Sequence, residues 1–413
     1  MVNEFIPSNK KEQILEQTIQ LILQKFSDRP DLMVRKMMRE PTYLQHALEV
    51  CRHARESDYV SPALVELNIR IAECLMRGFR NFEKAKLIIE NVDDMLQKGI
   101  KISALNDALL KINKSFLSSM YMPNYNESSR YNLEALDILN QFEGLFEEKL
   151  RATTSLAQNY MLSGQQEKGK HLLARASTLF KNSKSHVYNA AYLYANSIVF
   201  NDEGNFDQSI NVINEAKQYL PKIQDYPMLE FHLLMQELEA LLKLNHLTEA
   251  NICFEKCYDK VQHFFHGKDN YILGRLLIYK AWILMNNEHK NQEAVETILK
   301  SINMLNNVLH GPGKHIMQGF AHIIYGNILE DLDCEEALKA YLTSEAIYKK
   351  IMQNLQSDDI SLLYSRIVNL TGKIKDHKTA HHYLEKHIRV FGTYHFRTQK
   401  MKKLLDTSIA LNE

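Results

Sequence analysis

Residues 151–180, RATTSLAQNYMLSGQQEKGKHLLARASTLF, and residues 189–221, NAAYLYANSIVFNDEGNFDQSINVINEAKQYLP, carry one plan twice. In the first stretch Leu156, Ala157 and Tyr160 fall on one face of a helix. Gly164 starts a turn, where a left-handed backbone is cheap only for glycine. Gly169, Leu173 and Ala176 then share one face of a second helix. In the second stretch Ser197 and Phe200 face inward, Gly204 turns, Phe206 fills the corner, and Ser209, Ile213 and Ala216 pack. Pro221 is expected to end that helix, because its ring cannot continue the ladder. The logic is steric: small residues let two helices cross closely, and large ones at a four-residue offset fill the gap.

The position held by Gly169 and Ser209 recurs along the chain, at Ala85, Ser128, Gly169, Ser209, Ala250, Ala294, Ala337 and Ala380. The successive gaps are 43, 41, 40, 41, 44, 43 and 43 residues. A period of this size marks a solenoid, in which each unit cannot bury its own apolar face and stacks on its neighbours. The expected fold is therefore all-α, a right-handed α-solenoid of about eight helix-turn-helix units spanning 61–395. An N-terminal helical cap or bundle at 1–60 and a C-terminal capping helix at 396–413 complete it. Within the cap, helices are expected at 10–26, 31–39 and 42–55, with Ser27 and Asp28 as turn or cap residues. Met33, Met37 and Met38 read as core, with a soft partner-contact surface as the other reading.

Composition agrees. The 413 residues include 14 Gly and 8 Pro, so sheet turns are few and helices long. Lys+Arg and Asp+Glu are 50 each, and this zero balance argues against a chain built mainly to bind nucleic acid. The five cysteines, Cys51, Cys74, Cys253, Cys257 and Cys334, are odd in number and scattered, which fits core thiols in a reducing compartment. No apolar run approaches a membrane span and the N-terminus carries no secretory pattern, so a cytoplasmic location is expected, with secretion into a host cytosol as the variant.

The order small–x2–large, Gly, aromatic, small–x3–large–x2–small resembles the tetratricopeptide repeat. The likeness is strongest at 151–221, fair at 232–260, 320–348 and 362–390, and weak at 64–95 and 105–140. The units of about 42 residues, and the junctions FHGKDNYILG (265–274), LHGPGKHIMQG (309–319) and FGTYHFRT (391–398), are similar to the long repeats of kinesin light chains. HEAT and armadillo repeats overlap in period. They favour prolines within helices and, for armadillo, a third helix per unit, which this chain does not follow.

The resemblance implies that the first helix of each unit lines a concave groove. It then places Arg151, Thr154, Gln158 and Met161 there, followed by Tyr194, Ile198 and Asn201, and by His232, Met235 and Glu239. Arg275, Ile278 and Trp282 come next, then Phe320, Ile323 and Asn327, and finally Ser365 and Asn369. Asn and Gln pair with both donors and acceptors of an extended peptide. Tyr194, Trp282 and Phe320 supply anchor area, and Arg151 and Arg275 suit a carboxylate. Trp282 takes either a groove or a core position, because an insertion at 286–291 disturbs the register.

No phosphate loop, dinucleotide fingerprint, metalloprotease helix or nucleophile elbow occurs. His377, His381, His382 and His387 form the nearest approach to a metal cluster, but no completing ligand stands at suitable spacing, and His387 reads as a packing residue. No cofactor, metal or catalytic residue is expected. The expected function is a non-enzymatic scaffold gripping a peptide or helix of a partner protein. The alternatives are a peptide-responsive bacterial regulator with an N-terminal effector module and a secreted bacterial effector.

Overall fold

The computed structural model describes residues 8–26, 30–121, 124–224, 226–286, 290–352, 355 and 357–410. The turn expected at Ser27 and Asp28 lies outside these residues, as do 287–289 of the insertion. Twenty α-helices and no strand occur among the described residues. Three precede the repeats: α1 (Ser8–Leu23), α2 (Pro30–Arg39) and α3 (Pro41–Glu56). Eight pairs follow, α4 (Pro62–Arg77) with α5 (Phe82–Gln97), α6 (Ala104–Met120) with α7 (Tyr125–Leu139), α8 (Phe146–Leu162) with α9 (Gln166–Asn182), and α10 (His186–Asp202) with α11 (Phe206–Lys217). The remaining pairs are α12 (Pro227–Lys243) with α13 (Leu247–Phe265), α14 (Tyr271–Met285) with α15 (Asn291–Val308), α16 (Ile316–Leu329) with α17 (Cys334–Ile351), and α18 (Asp358–Lys373) with α19 (His377–Phe391). Helix α20 (Phe396–Ala410) ends the series.

The repeat expected from the sequence is thus present as eight helix pairs, and its register is strict on the second helix. Each of the eight recurring small residues is the fourth residue of its helix, and each is buried. Four residues on stand Ile89, Asn132, Leu173, Ile213, Phe254, Ile298, Tyr341 and Leu384. Seven on stand Val92, Ala135, Ala176, Ala216, Cys257, Ser301, Ser344 and His387, and both sets are buried throughout. Where a serine holds a small position, its hydroxyl donates to the paired helix. Ser209 Oγ donates to the carbonyl of Ser197 at 3.0 Å, Ser301 Oγ to Gly274 at 2.6 Å and Ser344 Oγ to Gly319 at 2.9 Å. The last unit departs from the pattern for a reason. His387 reaches Ser361 Oγ at 2.8 Å on α18 and Thr398 Oγ1 at 2.7 Å on α20, fastening the final helix to the unit before it.

Side chains fix the helix starts. Ser61 accepts from Leu64 N–H, Asn81 from Lys84, Asp333 from Glu335 and Glu336, and Ser357 from Ile360. Each such cap is worth about 1 kcal/mol. Gly164 and Gly204 adopt φ of 81° and 77° in their turns, as expected. Two local expectations are corrected. The helix before Pro221 stops at Lys217, and Pro221 sits in a short 3-10 turn, Leu220–Lys222. The junction at 265–274 is shorter than read, since Phe265 belongs to α13 and Tyr271 starts α14, with His266 and Gly267 at positive φ between them.

The described chain divides into two compact units. One comprises Met1–Asn159, Ala174–Tyr192 and Tyr219–Pro227, the other Tyr160–Leu173, Leu193–Gln218 and Met228–Glu413. In the first, α1 packs on α3 and α4, α2 on α3 and α4, and α4 on α5 and α6. Met33 and Met37 are buried there among Val34, Leu67, Ile71 and Met76. In the second, α14 packs on α15, α16 on α17, and α18 on α19 and α20. Its core runs from Phe231 through Tyr279, Ile324 and Tyr364 to Leu405. Cys253 and Cys257 are buried in that core, and burial pushes the Cys257 thiol up to about 12.

Gly326 shows how tight the pairing is. A β-carbon there would lie 2.4 Å from Tyr341 Cε1, and Tyr341 cannot withdraw, because its hydroxyl donates to Glu330 Oε1 at 2.6 Å and lies 2.7 Å from the side chain of Asn327. Gly326→Ala is therefore expected to destabilise by about 1–3 kcal/mol despite the better helix propensity of alanine. A thermal melt checks it, and an unchanged or raised Tm would contradict the tight crossing.

Candidate functional site

In the second unit polar side chains gather on α12, on α14 and on the 193–202 half of α10, and Lys243 of α12 meets Asp358 of α18. Lys243, the last residue of α12, places Nζ 3.3 Å from Glu239 Oε1 and donates to Asp358 Oδ2 at 3.1 Å, 115 positions along the chain. Asp358 also accepts from Arg397 on α20. Asp359 accepts from Tyr348 Oη at 2.9 Å. Asp202, at the end of α10, accepts from Gln166 Nε2 at 3.4 Å. Glu239 joins a second group, in which Tyr279 Oη donates to Glu239 Oε2 at 2.8 Å and accepts from Arg275 Nη2 at 3.2 Å. Tyr194 stacks on His232 with ring centres 5.6 Å apart. Met317 N–H donates to His315 Nδ1 at 3.1 Å, so Nε2 carries the ring proton and faces Tyr271 Oη at 3.4 Å.

Three cations, Lys243, Arg275 and Arg397, thus meet four carboxylates, Asp202, Glu239, Asp358 and Asp359. Burial opposes the charge on Lys243, yet Asp358, Glu239, Asp359 and Asp202 together hold its pKa well above the ordinary lysine range. Burial would raise Asp358, but Lys243 and Arg397 outweigh it and keep its carboxyl low. The surplus carboxylates go the other way. Burial pushes Asp202 up to about 8 and Asp359 up to about 6; Lys243 pulls each down and the neighbouring carboxylates push each up. At neutral pH Asp202 is largely protonated, which balances the group. Burial, then Arg275, lowers His315 to about 3, so it is neutral.

The nine expected contact residues are placed as follows. Arg151 is buried in the first unit and pairs with Glu73 at 2.7 Å, and Gln158 is half-buried there. The other seven lie in the second unit. Arg275 is buried, 3.8 Å from Glu239. Each arginine thus faces a carboxylate of the chain itself. Phe320 is buried and Trp282 half-buried, their rings 6.0 Å apart, and Trp282 leans on the core of its unit. Tyr194, Asn327 and Asn369 are half-buried. Asn201 is 2 % exposed, and neither its Nδ2 nor its Oδ1 has a hydrogen-bond partner among the described residues.

Asp202, Lys243, Tyr279, Asp358 and Asp359 escaped the sequence reading. Asp202 stands beside a turn glycine and reads as a turn residue. Asp358 and Asp359 follow Ser357 and read as first-turn acids of a helix. Nothing local in the sequence couples Lys243 to a residue on α18. Of the four histidines near 380, His381 and His382 are exposed, while His387 packs as expected. Among the described residues no group of three or more His, Cys, Asp or Glu is arranged to hold a metal ion. No helix among them is long and apolar enough to cross a membrane.

No known protein family matches the chain, and no curated protein matches it closely enough to stand as a relative. Solved structures do resemble it. A Rap protein complexed with Competence and Sporulation Factor superposes with a TM-score of 0.64 at 10% identity, covering 97% of this chain and 100% of that one. A human IFIT1 dimer with PPP-AAAA gives a TM-score of 0.48 at 15% identity, covering 98% of this chain and 87% of that one. At such identity the likeness to the Rap protein is one of fold. With eight helix pairs in the register described, the chain is by fold a tetratricopeptide-type helical-repeat protein.

Proposed function

We propose that the chain works by binding rather than by catalysis. In this reading it takes an extended peptide segment of a partner protein onto first helices of its second unit, at Tyr194, Asn201, Trp282, Asn327 and Asn369. The observation that carries the reading is Asn201. A buried carboxamide with neither donor nor acceptor paired costs about 1–3 kcal/mol, and nothing in the packing recovers it. The peptide backbone offers both complements, a carbonyl for Nδ2 and an N–H for Oδ1. The fold of a Rap protein that holds Competence and Sporulation Factor supports the same reading. A peptide-responsive regulator is the second reading, favoured by the N-terminal helices α1–α3, which pack on α4 in the first unit.

Selection of a random peptide library on the immobilised protein tests it. Peptides so enriched are expected to bind Asn201→Leu at least about tenfold more weakly, while that variant is as stable as the wild type or more so, because no internal hydrogen bond is lost. A library that yields no enriched sequence, or peptides that bind both proteins equally, rejects the reading.

A further inference from the structure

The turn between α4 and α5, in the first unit, gathers more positive charge than the chain neutralises. Arg77, the last residue of α4, lies with its guanidinium 4.1 Å from the ring centre of Phe116. Its Nε is 3.3 Å from Glu73. That carboxylate is shared, since Arg151 pairs with it at 2.7 Å. Arg80, three residues on, lies 4.7 Å from the ring centre of Phe82. Phe82 in turn is 6.1 Å from Phe116 and 6.0 Å from Tyr121. The rings therefore join both guanidinium groups in one patch. Arg80 is half-buried, and no carboxylate or other acceptor among the described residues pairs with it. Burial, and then Arg77, pushes its pKa down to about 10.

The backbone adds an independent observation. Arg80 sits at φ 54°, in the left-handed region that disfavours a side chain. The matching turns of later units place Gly164, Gly204, Asn245 and Lys375 at positive φ. Glycine and asparagine are the residue types that such a turn favours, and Arg80 and Lys375 both occupy it at a cost. An arginine held there, stacked on a ring and lacking an anion, is a cost that the turn itself does not require.

We propose that Arg77 and Arg80, with the rings of Phe82, Phe116 and Tyr121 around them, bind the phosphate group of a ligand. Phosphate fits better than a carboxylate, because its extra charge and oxygens can meet two guanidinium forks at once, Arg80 having no carboxylate among the described residues and Arg77 sharing Glu73 with Arg151. Tyr121 is 37% exposed, so its ring is open to an aromatic portion of the same ligand.

Calorimetric titration of the full chain with inorganic pyrophosphate, and separately with a nucleoside monophosphate, tests the site. Saturable binding at one site is expected. Arg80→Gly, which gives the turn its preferred residue, is expected to melt at or above the wild-type temperature yet bind at least about tenfold more weakly. Arg80→Lys, which keeps the charge and loses the fork, should fall between. Tighter binding of the nucleoside monophosphate places its base against the rings; equal binding assigns the affinity to the anion alone. Absence of saturable binding by either probe, or wild-type affinity in Arg80→Gly, overturns the proposal.

Discussion

Between pH 6.5 and 8 the second unit is expected to lose stability, and Asp202→Asn is expected to abolish most of that loss. The folded Asp202 keeps its proton to about pH 8, whereas the unfolded side chain releases it near 3.9. Within that window the folded state binds the extra proton, so stability falls as pH rises and levels off above about 8. Asp359, pushed up to about 6, acts in the same sense over a lower window. Two buried histidines oppose them. His315 and His387 are held down to about 3, by burial first and then by nearby cations, Arg275 for the one and His395 and Arg397 for the other. For these groups the unfolded state binds the extra proton below about 6.5, so they make stability rise with pH up to that point. The sum is a maximum near pH 6.5, with a decline on the alkaline side that belongs to Asp202. For a half-buried group, 1.5 pH units of linkage amount to about 1–2 kcal/mol. Trp282 is the only tryptophan and lies in this unit, so its fluorescence during urea unfolding at pH 6.5 and pH 8 reports the difference. A wild type equally stable at both values, or an Asp202→Asn variant with the same decline, would remove the buried proton from the account.

The second helix of every pair was legible, and the reason is geometric. The fourth, eighth and eleventh residues of each second helix are buried in all eight pairs, so the pattern repeats in the sequence as it does in space. The units at 64–95 and 105–140 looked weak yet form complete pairs, α4–α5 and α6–α7. Their positions are filled by unusual residues. Asn132 stands where other units have Ile, Leu, Phe or Tyr and donates to Ser155 Oγ at 3.1 Å, and Val92 stands where most others are small. The turn of α4–α5 carries Arg80 instead of glycine, which hid it further.

First-helix faces were less legible. Ten or more residues on these helices are buried in α4, α14 and α16, so periodicity cannot separate a face turned to a neighbouring helix from one turned to a ligand. Arg275 and Trp282 illustrate this. A seven-residue spacing puts both on one face, yet Arg275 ends in an ionic group with Tyr279 and Glu239, while Trp282 leans on Phe320. The polar partners of Lys243 and Arg151 come from helices 115 and 78 residues away, and no local pattern encodes a contact of that separation.

Glu73→Ala is expected to be the most damaging single change in the first unit, at about 3–5 kcal/mol. Both Glu73 and Arg151 are 3% exposed in their side chains and lie 2.7 Å apart, so neither regains water when the other is lost. Glu73 is also the carboxylate nearest Arg77, whose pKa burial and then Arg151 already push down to about 10. Removing it leaves the desolvated Arg151 guanidinium without its carboxylate and with Arg77 nearby. Arg151→Met is the gentler truncation, because Glu73 keeps Arg77 as a partner, although Asn113 Oδ1 loses its 3.3 Å bond from Arg151 Nη2. The double variant Glu73→Met/Arg151→Met removes both buried charges and fills the space with apolar atoms, so it should be more stable than Glu73→Ala alone. Arg77, at 20% exposure, can then turn its charge to solvent. Amide hydrogen exchange on α4 and α8 is the measurement, since both helices carry the pair. Faster exchange in Glu73→Ala than in Arg151→Met, with recovery in the double variant, is the expected order. Equal effects of the two single changes would mean that Arg77 does not share the carboxylate, and a double variant no better than Glu73→Ala would mean that packing at these positions, not charge, sets the cost.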